Sequence, residues 1–200
     1  MTAMQTTPDA AGPGAPTRYD GIAMTLHWLV ALAVLVNLGL GLYMVNLPRS
    51  DPTKLEIVPL HMSIGLTVLV ISIVIIAWRL THRVPPLPAD MAAPLKLLAR
   101  SAHLLFYVLI LALPLAGWMM VSSSPRGGAV PFFGLFKWPP LGFLAGMALP
   151  DKKVWVGTFA ETHETLAWIM IGLVVLHLGA VVYHQIVRHD GVLKRMLPGG

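Results

Sequence analysis

The sequence predicts an all-α membrane protein, a bundle of four transmembrane helices. Three observations carry that fold class. The chain of 200 residues is 56% hydrophobic and 12% charged, with a mean hydropathy of +0.73, whereas a soluble domain carries about 25% charged residues. Its apolar residues gather into four runs, each long enough at about 1.5 Å per residue to cross roughly 30 Å of hydrocarbon. Its charges and most of its Pro-rich stretches lie between those runs.

Composition also excludes several function classes. There is no Cys, so disulfides, thiolate metal sites and thiol catalysis are ruled out. The eight His are then the side chains best suited to transition-metal ligation. The net charge of +5 is what basic residues at helix ends give a membrane protein, and it does not call for nucleic acid. The sequence has no internal repeat and no Gly-rich phosphate loop.

Residues 1–17 are rich in Pro, Gly, Ala and Thr and lack the basic start and apolar centre of a signal peptide. They read as a disordered tail. The domain proper is expected over 18–198, with spans at about 22–45, 57–80, 101–121 and 162–187. Between the first two, Leu47-Pro-Arg-Ser-Asp-Pro52 breaks the helix, because proline removes amide donors and Ser and Asp favour turns. Residues 79–100 form a connector too polar to span. Pro114 is expected to kink the third span. Residues 122–160 centre on Pro131-Phe-Phe-Gly-Leu-Phe-Lys-Trp-Pro-Pro140. This stretch is apolar but interrupted, which suits a loop lying on the membrane surface.

Four spans put both termini on one side. Arg18, Arg79, Arg83, Lys96, Arg100, Arg188, Lys194 and Arg195 lie on that side. Arg49, Lys54, Arg126, Lys137, Lys152 and Lys153 lie on the other, spread over longer loops. The positive-inside bias puts the termini of this multi-pass protein in the cytoplasm.

Histidines then stand out by depth. His27 enters the first span from the terminal side, and His61 begins the second from the opposite side. His163 and His177 both lie on the fourth span, fourteen residues apart. That spacing advances roughly 21 Å and returns to within about 40° of the same helix face. Ionisable groups inside a bilayer are costly and usually face the bundle interior and carry function. Two His at each depth, on different helices, make two bis-imidazole pairs, the way a four-helix bundle holds haem b without covalent attachment. No Cys-x-x-Cys-His is present, so c-type attachment is excluded. A single interfacial His is ordinarily a capping or snorkelling residue, and it is the matched depths that favour ligation. Zinc fits poorly, since no carboxylate or third His accompanies either pair at ligand spacing. Depth alone does not choose between His177 and His184, seven residues further on.

The sequence resembles the bacterial cytochrome b561 family over about residues 18–198. The resemblance rests on Arg18-Tyr-Asp, Leu26-His27-Trp28-Leu29, Leu47-Pro-Arg-Ser-Asp51, His61-Met-Ser-Ile-Gly65 and Trp78-Arg79-Leu80. It continues through His103, Ala112-Leu-Pro114, Gly117, Phe132-Phe-Gly134 and His163-Glu-Thr-Leu-Ala167, then Gly172 and His177. It implies two haem b groups, one held by His27 with His177 and the other by His61 with His163. It implies secondary roles, toward a propionate or a quinone, for His103 and His184, with Arg79 beside them; no residue is assigned a catalytic role. His82 and His189 lie in basic flanks and read as solvated. Gly65 and Gly172 are candidates for close approach of a porphyrin face. The implied activity is transmembrane electron transfer, oxidising superoxide at the periplasmic face and reducing ubiquinone. The alternative is a cytochrome b anchor that passes electrons between a dehydrogenase, hydrogenase or periplasmic redox protein and quinone. The partners expected are quinone, a small redox donor or redox protein, and membrane lipid, but no nucleic acid; a homodimer is compatible with the reading.

Overall fold

The computed structural model of the chain describes residues 16–197 apart from positions 89 and 127. The tail expected over 1–17 falls almost wholly outside the described residues. Four helices long and apolar enough to cross a membrane dominate the described residues.

Helix α1, Gly21–Asn46, starts at Asp20, whose carboxylate accepts the Ala23 N–H at 2.8 Å and so satisfies one orphan donor of the first turn. It ends just before Pro48, since the residue preceding a proline is pushed out of helical geometry. Helix α2, Lys54–Thr81, follows a short turn. Helix α3, Ala93–Ser122, and helix α5, Leu149–Tyr183, begin eight and thirteen residues before the expected spans at 101 and 162. Pro94 and Pro150 sit in their first turns, where a missing N–H costs nothing. Hydropathy registers only the part of a helix inside hydrocarbon; polar first turns such as Asp151-Lys-Lys153 are invisible to it. Past Tyr183 the chain continues as a π-helical turn, His184–Arg188.

The stretch expected as a surface loop is ordered. Strands β1, Val130–Phe132, and β2, Phe136–Trp138, pair antiparallel with Val130 opposite Trp138 and Phe132 opposite Phe136. Phe133 and Gly134 both have positive φ at their turn, 48° and 72°, the second at a residue with no Cβ to clash. Ser63 on α2 holds this hairpin. Its hydroxyl accepts the Phe133 N–H at 2.9 Å and lies 3.2 Å from the Pro131 carbonyl. A short helix α4, Gly142–Ala145, follows, with the Leu141 N–H donating to Ser122 Oγ at 3.0 Å.

In the bundle α1 packs on α2, α2 on α3 and α3 on α5, while α1 and α5, which would close the ring, make no comparable contact. The buried core draws on all four spans: Val30, Val68, Leu109, Ile110, Met170 and Leu173. The outward residues are large and apolar, Leu32, Ile73, Val108 and Leu176 among them, as a lipid-facing surface requires. The two ends of the described chain meet at one end of the bundle, where Tyr19 N–H donates to the Arg195 carbonyl at 3.3 Å and Trp28 Nε1 to the Met196 carbonyl at 2.7 Å.

Pro114 lies inside α3 and, lacking an N–H, leaves the Ile110 carbonyl without its usual helical donor. The buried Ser72 hydroxyl on α2 lies 3.2 Å from that carbonyl and 2.6 Å from the Val68 carbonyl of its own helix. Ser72→Ala should therefore strand a buried acceptor and destabilise the α2–α3 seam by about 1 kcal/mol, the scale of interhelical hydrogen bonds in membranes. Thermal unfolding of detergent-solubilised protein, followed by circular dichroism, checks it; an unchanged midpoint would contradict the seam.

Candidate haem-ligating site

The fourth-span histidines sit on α5 as their spacing requires, with Met170 of the buried core midway between them. At the end of the bundle away from the termini, His61 of α2 and His163 of α5 face each other, ring centres 6.1 Å apart and planes at 81°. Each ring is anchored through Nδ1 to a backbone carbonyl of a neighbouring helix. His163 Nδ1 lies 2.9 Å from the Leu113 carbonyl of α3, and His61 Nδ1 lies 3.2 Å from the Asn37 carbonyl of α1. A carbonyl can only accept, so both rings carry their proton on Nδ1, leaving Nε2 as the free lone pair. Two imidazoles on one iron, with metal–nitrogen bonds of about 2 Å, have ring centres roughly 6 Å apart. The donor set, spacing and tautomer at this end all fit haem.

At the terminal end the arrangement differs. His177 of α5 has the ring of His103 of α3 at 6.1 Å and 88°, with Phe106 at 5.3 Å. His27 of α1 lies within electrostatic reach of both His177 and His103 but is in ring contact with Trp28, at 5.3 Å. The structure thus brings His61 and His163 together directly, and His27 and His177 only into a shared neighbourhood. The open side between α1 and α5 falls between those two residues, so a flat group wedged there could be reached by both. His103 Nδ1 is 2.6 Å from the Ala99 carbonyl of its own helix. No group of three or more His, Asp or Glu able to hold a bare metal ion occurs among the described residues.

His184 is placed elsewhere. Its Nδ1–H donates to Asp190 Oδ2 at 2.6 Å, and Arg188 stands 3.9 Å from the same carboxylate while also bridging to Asp90. The adjoining cavity, lined by Gln185, His189, Gly191 and Lys194, measures about 120 Å³, too small for a quinone ring with its substituents. Of the two histidines expected to be solvated, His82 is exposed and stacks on Trp78 at 3.6 Å and 9°. His189 takes a left-handed backbone conformation, φ 52°, at the end of the π-turn. Arg79, at the terminal end of α2, stands within electrostatic reach of Tyr107. Sequence reading missed the anchoring carbonyls of Asn37 and Leu113, since a backbone acceptor leaves no mark on residue type. It also missed Asp190, whose place six residues after His184 was the available signal.

Four spanning helices with backbone-anchored imidazoles facing one another across the bundle are the makings of a membrane-embedded b-type cytochrome, an electron-transfer protein. The family profile described as Prokaryotic cytochrome b561 matches residues 18–199, and the chain belongs to that family. Curated relatives agree. The chain is 32% identical to Cytochrome b561 homolog 2 of Escherichia coli K12 over 91% of its own length and 92% of the relative's. It is 29% identical to Cytochrome b561 homolog 1 of the same organism, over 90% and 97%. Against the Probable superoxide oxidase CybB of Yersinia pestis it is 28% identical over 90% and 96%. The protein is therefore a bacterial multi-pass membrane cytochrome that binds haem b.

Asp190 gives this end of the molecule a pH dependence. Burial pushes its pKa up, but the hydrogen bonds from the His184 ring and the Val192 amide, with the charges of His184 and Arg188, outweigh burial and hold it below the usual value. A depressed folded-state pKa means the stabilisation is fully present above the ordinary carboxylate pKa of about 3.9 and is lost as pH falls through the folded value. Amide protection of residues 188–197 should hold down to about pH 4 and fall below it. In Asp190→Asn it should be lower already at neutral pH and nearly flat with acid; a wild-type profile in that variant would count against the contact.

Proposed function

We propose that the chain binds two haem b groups, one per histidine pair, and carries electrons from superoxide at the periplasmic face to ubiquinone, with both termini cytoplasmic. The observation that carries this reading is the His61–His163 pair, 6.1 Å apart with both Nδ1 atoms anchored. In this orientation His61 and His163 form the outer pair, and His27 and His177 the inner one. Haem b supplies one-electron chemistry when bound. The chain's own part is to position the rings, with Nε2 left free on His61 and His163, and to keep the space between the pairs dry with Val68, Leu109 and Met170.

The name of the Yersinia pestis relative supports superoxide as the donor. Arg49, Lys54, Arg126, Lys137, Lys152 and Lys153 border the outer end, and a small anion is drawn to such a border. Asp51, Glu56, Asp151, Glu161 and Glu164 lie at the same end, so its net charge is only six minus five, or +1. The attraction is local, and the rate of reaction with superoxide should depend only weakly on ionic strength.

Purified haem-loaded protein exposed to a superoxide source should show reduced Soret and α bands that reoxidise on addition of a quinone analogue. No reduction by superoxide would sink the donor assignment. His163→Ala should remove one haem and His27→Ala the other, read from haem-to-protein ratios and difference spectra; loss of the same single haem in both would break the pairing. The 6.1 Å contact between His103 and His177 favours a second reading of the inner pair, with His103 in place of His27. Retention of both haems in His27→Ala, with loss of one in His103→Ala, would select it. The exposed Phe133, Leu135 and Phe136 of the hairpin favour the anchor-subunit alternative, which a soluble redox partner co-purifying in stoichiometric amount would establish.

A further inference from the structure

The two anchored imidazoles share one construction. On α1 the Asn37 carbonyl accepts from His61, and four residues on stands Gly41. On α3 the Leu113 carbonyl accepts from His163, and four residues on stands Gly117. In a helix the carbonyl of residue n is bonded to the N–H of residue n+4, so the side chain at n+4 is well placed to shield it. A glycine there uncovers the carbonyl for a second donor.

The two glycines are not equally tight. A Cβ on Gly117 would lie 3.0 Å from His163 Cε1 and 3.1 Å from Nδ1, whereas one on Gly41 would lie 3.4 and 3.8 Å from the same atoms of His61. The first pair of distances requires the ring to move; the second is ordinary contact. Gly65 and Gly172, singled out in the sequence, meet no imidazole: a Cβ on Gly65 would lie 3.5 Å from Asn37 Nδ2, and one on Gly172 would meet nothing within 4 Å.

We infer that Gly117 is a positioning residue, whose missing side chain seats the His163 ring against the Leu113 carbonyl and so fixes the tautomer, orientation and basicity of that ligand. This rests on His163 being a haem ligand, as proposed above. A ligand imidazole that donates its Nδ1–H is more basic and favours the oxidised metal. Loss of that bond should raise the midpoint potential of the outer haem.

The test uses haem-loaded, full-length protein and three variants. Gly117→Ala should retain the outer haem roughly ten- to a hundredfold more weakly. What remains bound should show a more positive outer midpoint and a changed low-spin EPR g-tensor, with the inner-haem signals unmoved. Gly41→Ala should match wild type. Should Gly117→Ala fail to accumulate, Nδ1-methylhistidine incorporated at position 163 removes the donor without touching the glycine and should shift the outer potential the same way. An unchanged outer potential in Gly117→Ala or in the methylhistidine protein overturns the inference, as does an equal shift in Gly41→Ala. His163→Ala separates the two levels: if it loses no haem, the ligand reading itself fails, whatever the glycine variants show.

Discussion

The histidine site at the end of the bundle away from the described termini depends on two hydrogen bonds from imidazole Nδ1 to helix carbonyls, His163 to Leu113 and His61 to Asn37. In a hydrocarbon environment a ring N–H without an acceptor costs several kcal/mol on the order of any buried polar group. A helix interior offers few acceptors, because each carbonyl already serves its own ladder. For His163 the solution is to share a carbonyl that Gly117 leaves bare. That choice dictates which helices must be adjacent: α3 must lie against α5 to anchor His163, and α1 against α2 to anchor His61. Those two pairings are among the close contacts of the bundle.

The same need for acceptors shapes the rest of the bundle. Pro114 breaks the α3 ladder one residue after the Leu113 anchor, and the carbonyl it frees at Ile110 faces the Ser72 hydroxyl of α2. Ser63, two residues past His61, spends its hydroxyl on the hairpin. The β1–β2 hairpin is thereby fastened to the helix that carries His61, and Leu66 and Leu69 of that helix pack with Val130 beneath it. Small hydroxyl residues, commonly read as neutral in a membrane helix, here connect one element to the next.

Much of this was legible in sequence, and the rest was not for identifiable reasons. The four spans and the fourteen-residue spacing of His163 and His177 followed from hydropathy and helix period. The starts of α3 and α5 were set late because polar first turns such as that at Asp151 carry no hydropathy signal. The ordered hairpin at 130–138 was read as loop because its strands are three residues each and contain Pro131, too short for alternation to register. The contact of His103 with His177 arises from how α3 docks on α5, and no spacing within either helix encodes it. His82 is exposed as expected, and its stacking on Trp78, four residues back, was hidden because hydropathy leaves the end of that helix vague.

The contrast between the two ends of α5 has a physical consequence. His163 is held by a hydrogen bond to another helix, whereas His177 is in ring contact with His103 and Phe106. A ligand whose orientation is fixed by a hydrogen bond has its geometry set before anything binds; a ligand resting on aromatic edges takes its geometry from what it binds. The His61–His163 end is thus preorganised by the fold, whereas at the terminal end the geometry of His27 and His177 is left more to whatever is bound there.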